Sequence, residues 1–147
     1  MRGMEKTTRR DVGLLIIRLG IGTSMLVLHG WGKITGGPER WERLGGTMRN
    51  FGIDFAPAFW GFMAGFAETF GSLALILGIA FLPGAALLAF TMFVASVRHL
   101  MLPPGDPGAG WSGASHALEL MCIYIALIFT GPGRFVVPLR LGRRKKR

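Results

Sequence analysis

The chain has 147 residues, of which 17 are Lys or Arg and 8 are Asp or Glu, so its formal net charge is +9. Half of its residues are hydrophobic, and this excludes a disordered basic protein. The charges are segregated, whereas a soluble nucleic-acid binder spreads them along the chain, so we predict no nucleic-acid partner.

The middle of the chain is almost free of charge. Apart from Glu68, residues 55–97 carry no ionisable side chain. As helix this stretch would extend roughly 64 Å, which is two crossings of a hydrocarbon core about 30 Å thick. The composition therefore predicts an integral membrane protein in contact with the lipid bilayer.

Four apolar segments predict an all-α fold, an integral membrane four-helix bundle, because only helices and closed barrels satisfy their backbone groups in lipid. Arg18 interrupts the first segment and no small-residue cleavage site follows it, so we expect a transmembrane helix there and not a signal peptide. A turn at residues 81–84 separates the second helix from the third. Residues 1–137 form one predicted domain. The predicted helices cover residues 11–33, 57–81, 84–101 and 115–131.

A shorter amphipathic segment follows the first predicted helix. Trp41, Leu44, Met48 and Phe51 recur at spacings of three and four, with charged residues between them. Pro38 suits the first turn of a helix. This pattern predicts a short interfacial helix in the first outer loop, with an irregular loop as the alternative.

The basic residues predict the orientation in the membrane. Four of the 17 lie in the N-terminal flank and seven in the C-terminal flank. Because cytoplasmic flanks are enriched in Lys and Arg, we expect both termini in the cytoplasm, which agrees with an even number of spans. The tail at residues 138–147 is predicted to be a basic cytoplasmic anchor attracted to anionic lipid.

Two charged residues lie inside the predicted bundle. Arg18 is in the inner half of the first helix and Glu68 is near the middle of the second. A charge within a bilayer is costly unless it faces protein or water and finds a partner. Antiparallel neighbours would bring the two together, so we predict a buried Arg18–Glu68 ion pair. Such a pair could serve function or only fix the packing of the helices.

The predicted topology brings a second polar group to the outer ends of three helices. Three chemistries suit it: a quinone-like polar head held by donors such as His and Lys, a transition metal held by imidazole and carboxylate, and proton relay by imidazole. Histidines satisfied by water and lipid headgroups are the alternative. Nothing in the spacing selects a haem. The predicted ligand-binding residues are His29, Lys33, His99, His116 and Glu119, and the alternative metal ligands are His29, His99, His116 and Glu119.

Several motifs occur in a characteristic order. These are Arg18, H-G-W-G-K at 29–33, M-R-N-F-G at 48–52, E-T-F-G-S-L-A-L-I-L-G at 68–78 and G-P-G-R-F at 131–135. From about residue 11 to residue 137 the chain resembles the DoxX family of small bacterial four-helix membrane proteins. It departs from the family pattern after G-P-G-R-F, where residues 136–138 are V-V-P in place of the frequent Ser-Leu/Ile-Asp.

The resemblance implies a bacterial inner-membrane protein associated with oxidoreductase systems. The family name derives from a subunit of a thiosulfate:quinone oxidoreductase, and other members are linked to complexes that handle thiols and oxidative stress. The one cysteine leaves no C-x-x-C pair for unaided electron transfer.

The leading function is therefore a quinone-linked subunit or accessory of a membrane oxidoreductase, working with a membrane or periplasmic partner. The alternatives are a small transporter, a metal-handling protein, or an assembly scaffold without chemistry. Whether the chain is itself an enzyme stays open, and the small bundle also suits a homo-oligomer.

Overall fold

The computed structural model describes residues 2–138. Within them every element of regular structure is helical. Of the predicted tail at residues 138–147, only residue 138 belongs to the described part of the chain. The elements in chain order are α1 (Arg2–Ser24), a π-helix (Met25–Gly30), α2 (Trp31–Ile34), α3 (Gly37–Gly45), a 3-10 helix (Gly46–Phe51), α4 (Pro57–Leu77), α5 (Phe81–Met101) and α6 (Gly110–Thr130).

Among the described residues, four helical segments are long and apolar enough to cross a membrane. The first runs through α1, the π-helix and α2 without a break. The structure thus confirms the all-α fold with four predicted spanning helices. The four segments are Lys6–Ile34, Pro57–Leu77, Phe81–Met101 and Gly110–Thr130.

The turn between α4 and α5 lies three residues before its predicted place. Gly78 ends α4 with φ 72°, in the left-handed region that suits glycine, and its N–H donates to the carbonyl of Ala74 at 2.9 Å. Residues 81–84, which were predicted as the turn, instead begin α5. Pro83 is accommodated because a proline in the first helical turn removes no helical hydrogen bond.

The fourth span is longer than predicted, since α6 begins at Gly110 and not near residue 115. Its glycine-rich start reads as a loop in sequence, but Gly113 packs directly on the backbone of Gly108. A side chain at Gly113 would collide with that backbone. The glycine therefore marks a close approach at the start of a helix.

The predicted helix in the first outer loop is present as α3. It packs on the beginning of α4, because a Cβ on Gly45 would meet the backbone of Pro57 and Gly61. The indole Nε1 of Trp41 donates to the carbonyl of Lys33 at 2.8 Å. Helix α3 is thus attached both to α4 and to the end of the first span.

Helix α4 is the centre of the packing. It contacts the first span, α3 and α5, whereas α6 packs closely on α5. No described Cα of α6 lies within 8 Å of a Cα of the first span or of α4. Contact between α6 and the first span is therefore made by side chains, among them the rings of His29 and His116.

Replacing Gly61 by alanine is expected to lower the free energy of unfolding by about 1–3 kcal/mol, because its Cβ would collide with the backbone of Trp41. Gly20→Ala is the matched control, since no atom would lie within 4 Å of its Cβ. It should raise stability by about 0.5–1 kcal/mol through the helix propensity of alanine. Unfolding by sodium dodecyl sulfate in mixed micelles, followed by circular dichroism, measures both. Equal effects of the two variants would contradict this account of the packing.

Candidate functional site

The π-helix brings the first span against the middle of α4. A Cβ on Gly30 would lie 2.8 Å from the backbone nitrogen of Thr69 and 2.9 Å from the carbonyl carbon of Glu68. Only glycine permits this approach. A π-helical turn also rotates the residues after it relative to a regular α-helix, and such turns recur at functional sites.

The buried acid of α4 pairs with the lysine at the end of the first span. Lys33 Nζ lies 2.5 Å from Glu68 Oε1. Glu68 is 1% exposed and the Lys33 side chain is 22% exposed. The backbone of Lys33 lies beside Gly65, one helical turn from Glu68, so the lysine stem extends inward to reach the carboxylate. The site therefore contains a charge pair held almost entirely within protein.

Arg18 is also fully buried, but its guanidinium binds backbone carbonyls. The acceptors belong to the last turn of α4 and to the segment after α6, so one side chain ties these two together. A guanidinium suits the end of α4 because unpaired carbonyls and the helix dipole make that end negative. Nε donates to Leu75 at 2.7 Å, Nη2 to Ile76 at 3.0 Å, and Nη1 to Pro132 at 2.8 Å and Phe135 at 2.7 Å.

The predicted Arg18–Glu68 ion pair is therefore wrong, although both side chains are buried as expected. Arg18 binds α4 at Leu75, seven residues after Glu68, which is about 10 Å along a helix. The prediction assumed that the one embedded acid needs the one embedded arginine. Carbonyls at a helix end can satisfy the arginine, and Lys33 can satisfy the acid.

Three buried polar atoms near this pair have no hydrogen-bond partner among the described residues: Glu68 Oε2, Thr69 Oγ1 and the Tyr124 hydroxyl. Tyr124, on α6, is 0% exposed and lies within electrostatic range of Glu68. A buried polar atom without a partner costs about 1–3 kcal/mol. Buried polar atoms without a partner are rare in native folds. Binding of a proton, a water molecule or a ligand at these atoms would explain why they are retained here.

Two histidines lie at the level of this pair, because Gly30, next to His29, packs on the backbone of Glu68 and Thr69. The rings of His29, in the π-helix, and His116, on α6, have centroids 6.0 Å apart. His29 is half-buried, His116 is exposed, and His29 is within electrostatic range of Glu68 and Lys33. The half-buried ring of His29 thus lies beside the exposed ring of His116, at the depth of the buried pair.

The structure brings together His29, Lys33 and His116 of the predicted ligand-binding residues, but not His99. His99 Nδ1 lies 2.7 Å from the carbonyl of Gly108, in the loop before α6. Glu119 is exposed on α6, and no described hydrogen bond or ion pair joins it to the histidines.

The alternative metal site with His29, His99, His116 and Glu119 is not formed. Within residues 2–138, no group of three or more His, Cys, Asp or Glu side chains could hold a metal ion. The physical reason is the loop contact of His99, which removes one of the three imidazoles. Equal depth on a predicted helix was not sufficient to bring the side chains to one point.

Sequence reasoning missed Tyr124 and Asp11. Tyr124 is the one tyrosine of the chain and lies two turns after His116, and this spacing was the available signal. Asp11 is 2% exposed and interacts with Arg10 at 3.3 Å and Arg134 at 3.6 Å. It forms a separate charged group at the opposite end of the bundle from the histidines.

An apolar groove runs beside the site, between the first span and α4, with a volume of about 360 Å³. Thr69 lines it and is the next residue after Glu68. The groove therefore borders the turn of α4 that carries Glu68, although the Glu68 and Lys33 side chains do not line it. Its other lining residues are Leu26, Val27, Trp31 and Leu73.

Comparison with known proteins gives one finding. The family model described as DoxX matches residues 13–100 of the chain. The matched range includes Arg18, Lys33 and Glu68, while the G-P-G-R-F segment and α6 lie beyond it. No curated protein and no solved structure matches the chain.

Proposed function

The chain belongs to the DoxX family and is a multi-pass membrane protein, and on this basis we propose that it is an accessory subunit of a quinone-linked membrane oxidoreductase system. Its task in this proposal is to hold the polar head of a quinone inside the bundle. The observation that carries the proposal is the buried Lys33–Glu68 pair, with Glu68 Oε2 and the Tyr124 hydroxyl lacking partners nearby.

The chemistry of these groups fits the head of a quinone. A quinone carbonyl accepts hydrogen bonds, which the Lys33 ammonium and the Tyr124 hydroxyl can donate. The hydroxyl of the reduced form donates, and Glu68 Oε2 is an acceptor without a partner. The three side chains thus complement both forms, and the quinone itself supplies the redox chemistry.

The groove of about 360 Å³ beside Thr69 suits the apolar body of such a ligand. Pockets for small molecules are mostly apolar, with a few polar groups that fix the orientation. The indole of Trp31 is 63% exposed beside Val27 and Thr69, so it offers a flat face to a ring. In this proposal the ligand enters the groove from the lipid and its head reaches past Thr69 toward Glu68.

The proposed setting is the bacterial inner membrane with both termini in the cytoplasm. The basic N-terminal and C-terminal flanks support this orientation. His29 and His116 then lie toward the outer face. A membrane or periplasmic partner would carry the redox centre, since the single cysteine provides no thiol pair within the chain.

The test is to purify the protein in mild detergent and to measure quinone per chain by solvent extraction and mass spectrometry. We expect about one quinone for each wild-type chain, and a loss of about tenfold or more in Glu68→Gln, because a hydrogen bond to a charged group contributes about 1.5–3 kcal/mol. Glu119→Gln is the matched control, since Glu119 is an exposed acid on α6. Folded wild-type protein without quinone would refute the proposal and favour an assembly role.

A further inference from the structure

We propose that Glu68 is a proton-binding site that exchanges protons with one side of the membrane only, the side on which His116 lies. The inference uses the same buried pair as the proposed function but does not require a quinone. It depends on three features: a route in from His116, an available acceptor atom on Glu68, and a barrier formed by Arg18.

The route begins at the exposed imidazole of His116. The neutral ring has one donor and one acceptor nitrogen, so it can take a proton from water and pass one on. Its centroid is 6.0 Å from that of His29, a separation that one water can bridge. His29 is half-buried and the adjacent Gly30 packs on the backbone of Glu68, so the two histidines lead from the surface to the depth of the carboxylate.

The acceptor atom is Glu68 Oε2. Oε1 is bound to Lys33 Nζ, while Oε2 has no described partner. A proton arriving from the solvent can therefore bind Oε2 while Lys33 stays on Oε1, and it leaves a neutral carboxylic acid beside an ammonium. The Tyr124 hydroxyl, on α6, likewise lacks a partner among the described residues.

The barrier lies on the other side of Glu68. Leu75, which is 0% exposed, occupies α4 between Glu68 and its end, and the Arg18 guanidinium lies at that end with four carbonyl contacts. A fixed positive charge repels protons, as in channels that exclude them with an arginine.

The other titratable groups leave this arrangement unchanged. Glu68 is the one ionisable residue of α4. On α5, His99 binds the loop carbonyl of Gly108. On α1, Asp11 pairs with Arg134 and Arg10 beyond the Arg18 barrier, and on α6, Glu119 is exposed.

The experiment uses dicyclohexylcarbodiimide, a membrane-permeant reagent that adds to protonated carboxyl groups and forms an N-acylurea without a leaving group. Labelling of Glu68 is measured by peptide mass spectrometry in sealed vesicles, with the pH changed on one side and buffered on the other. The side of His116 is established with an impermeant thiol reagent on His116→Cys in a Cys122→Ser background.

We expect the labelling rate of Glu68 to rise severalfold when the His116 side is acidified, because the reagent adds only to the protonated carboxyl group. Acidification of the other side should leave it unchanged. Asp11 is the internal control, since it is 2% exposed and lies at the opposite end. The labelling of Asp11 should change when the pH is changed on the side opposite to His116.

Three outcomes would overturn the proposal: labelling of Glu68 that follows the far side, labelling that follows both sides equally, and no labelling at any pH. His29→Asn adds a second measurement, because it should slow the response of Glu68 to a pH jump severalfold and leave that of Asp11 unchanged. A quinone-free protein with one-sided labelling would refute the proposed function and retain this inference.

Discussion

Lys33→Met is expected to lower the free energy of unfolding by about 3–5 kcal/mol, because it leaves a carboxylate that is 1% exposed without its partner. The effect should be visible as a lower midpoint of unfolding by sodium dodecyl sulfate in mixed micelles. Glu68→Gln together with Lys33→Met should recover most of the loss, since the double variant buries no unpaired charge.

The matched control for Lys33→Met is Arg49→Met. Arg49 and Asp54 also form an ion pair, at 3.7 Å, but their side chains are 70% and 77% exposed. Removing one member of such an exposed pair should change stability by less than about 1 kcal/mol. If Lys33→Met and Arg49→Met lowered the free energy of unfolding equally, burial would not explain the contribution of the Lys33–Glu68 pair to stability.

The positions of the spans were predictable because hydrocarbon thickness and hydrophobicity act over about 20 residues at a time. The charge pattern showed equally that Arg18 and Glu68 must face protein. Burial follows from the cost of an exposed charge in lipid, and that cost does not depend on the identity of the partner. The presence of both side chains inside the bundle could therefore be predicted without any knowledge of their contacts.

The partners could not be predicted, because they depend on local backbone geometry. A regular helix was assumed through His29, whereas the chain forms a π-helix from Met25 to Gly30. Lys33 was predicted to join the polar group at the end of the first helix, and lysines near helix ends usually extend toward water. Here Gly30 and Gly65 let the first span approach α4 so closely that the lysine extends inward.

The turns and the polar cluster show the same limit. Pro83 was taken to mark a turn, but a proline is equally compatible with the first turn of α5. The three histidines were predicted at one depth, yet His99 turns to the carbonyl of Gly108 while His29 and His116 meet. Hydropathy gives the depth of a residue along a helix, but the loop before α6 determines where the His99 side chain points.

Arg18→Lys should lower the free energy of unfolding by about 2 kcal/mol or more, although it conserves the charge. An ammonium has three donors and no planar fork, so it cannot satisfy the four carbonyls that the guanidinium binds, and a buried carbonyl without a partner costs about 1–3 kcal/mol. Unfolding in mixed micelles measures the loss. Arg9→Lys is the control, since Arg9 is exposed and its substitution should change stability by less than about 0.5 kcal/mol.

A local readout separates this role of Arg18 from a general loss of stability. Because Arg18 holds the carbonyls of Pro132 and Phe135, its loss should release the segment after α6 and speed tryptic cleavage after Arg134.

A double-mutant cycle then compares the coupling of Arg18 to Glu68 with the coupling of Lys33 to Glu68. Arg18→Met and Glu68→Gln should be additive within about 0.5 kcal/mol, whereas Lys33→Met and Glu68→Gln should be strongly coupled. Coupling between Arg18 and Glu68 as large as that between Lys33 and Glu68 would restore the ion pair expected from the sequence and contradict the carbonyl-bound arginine.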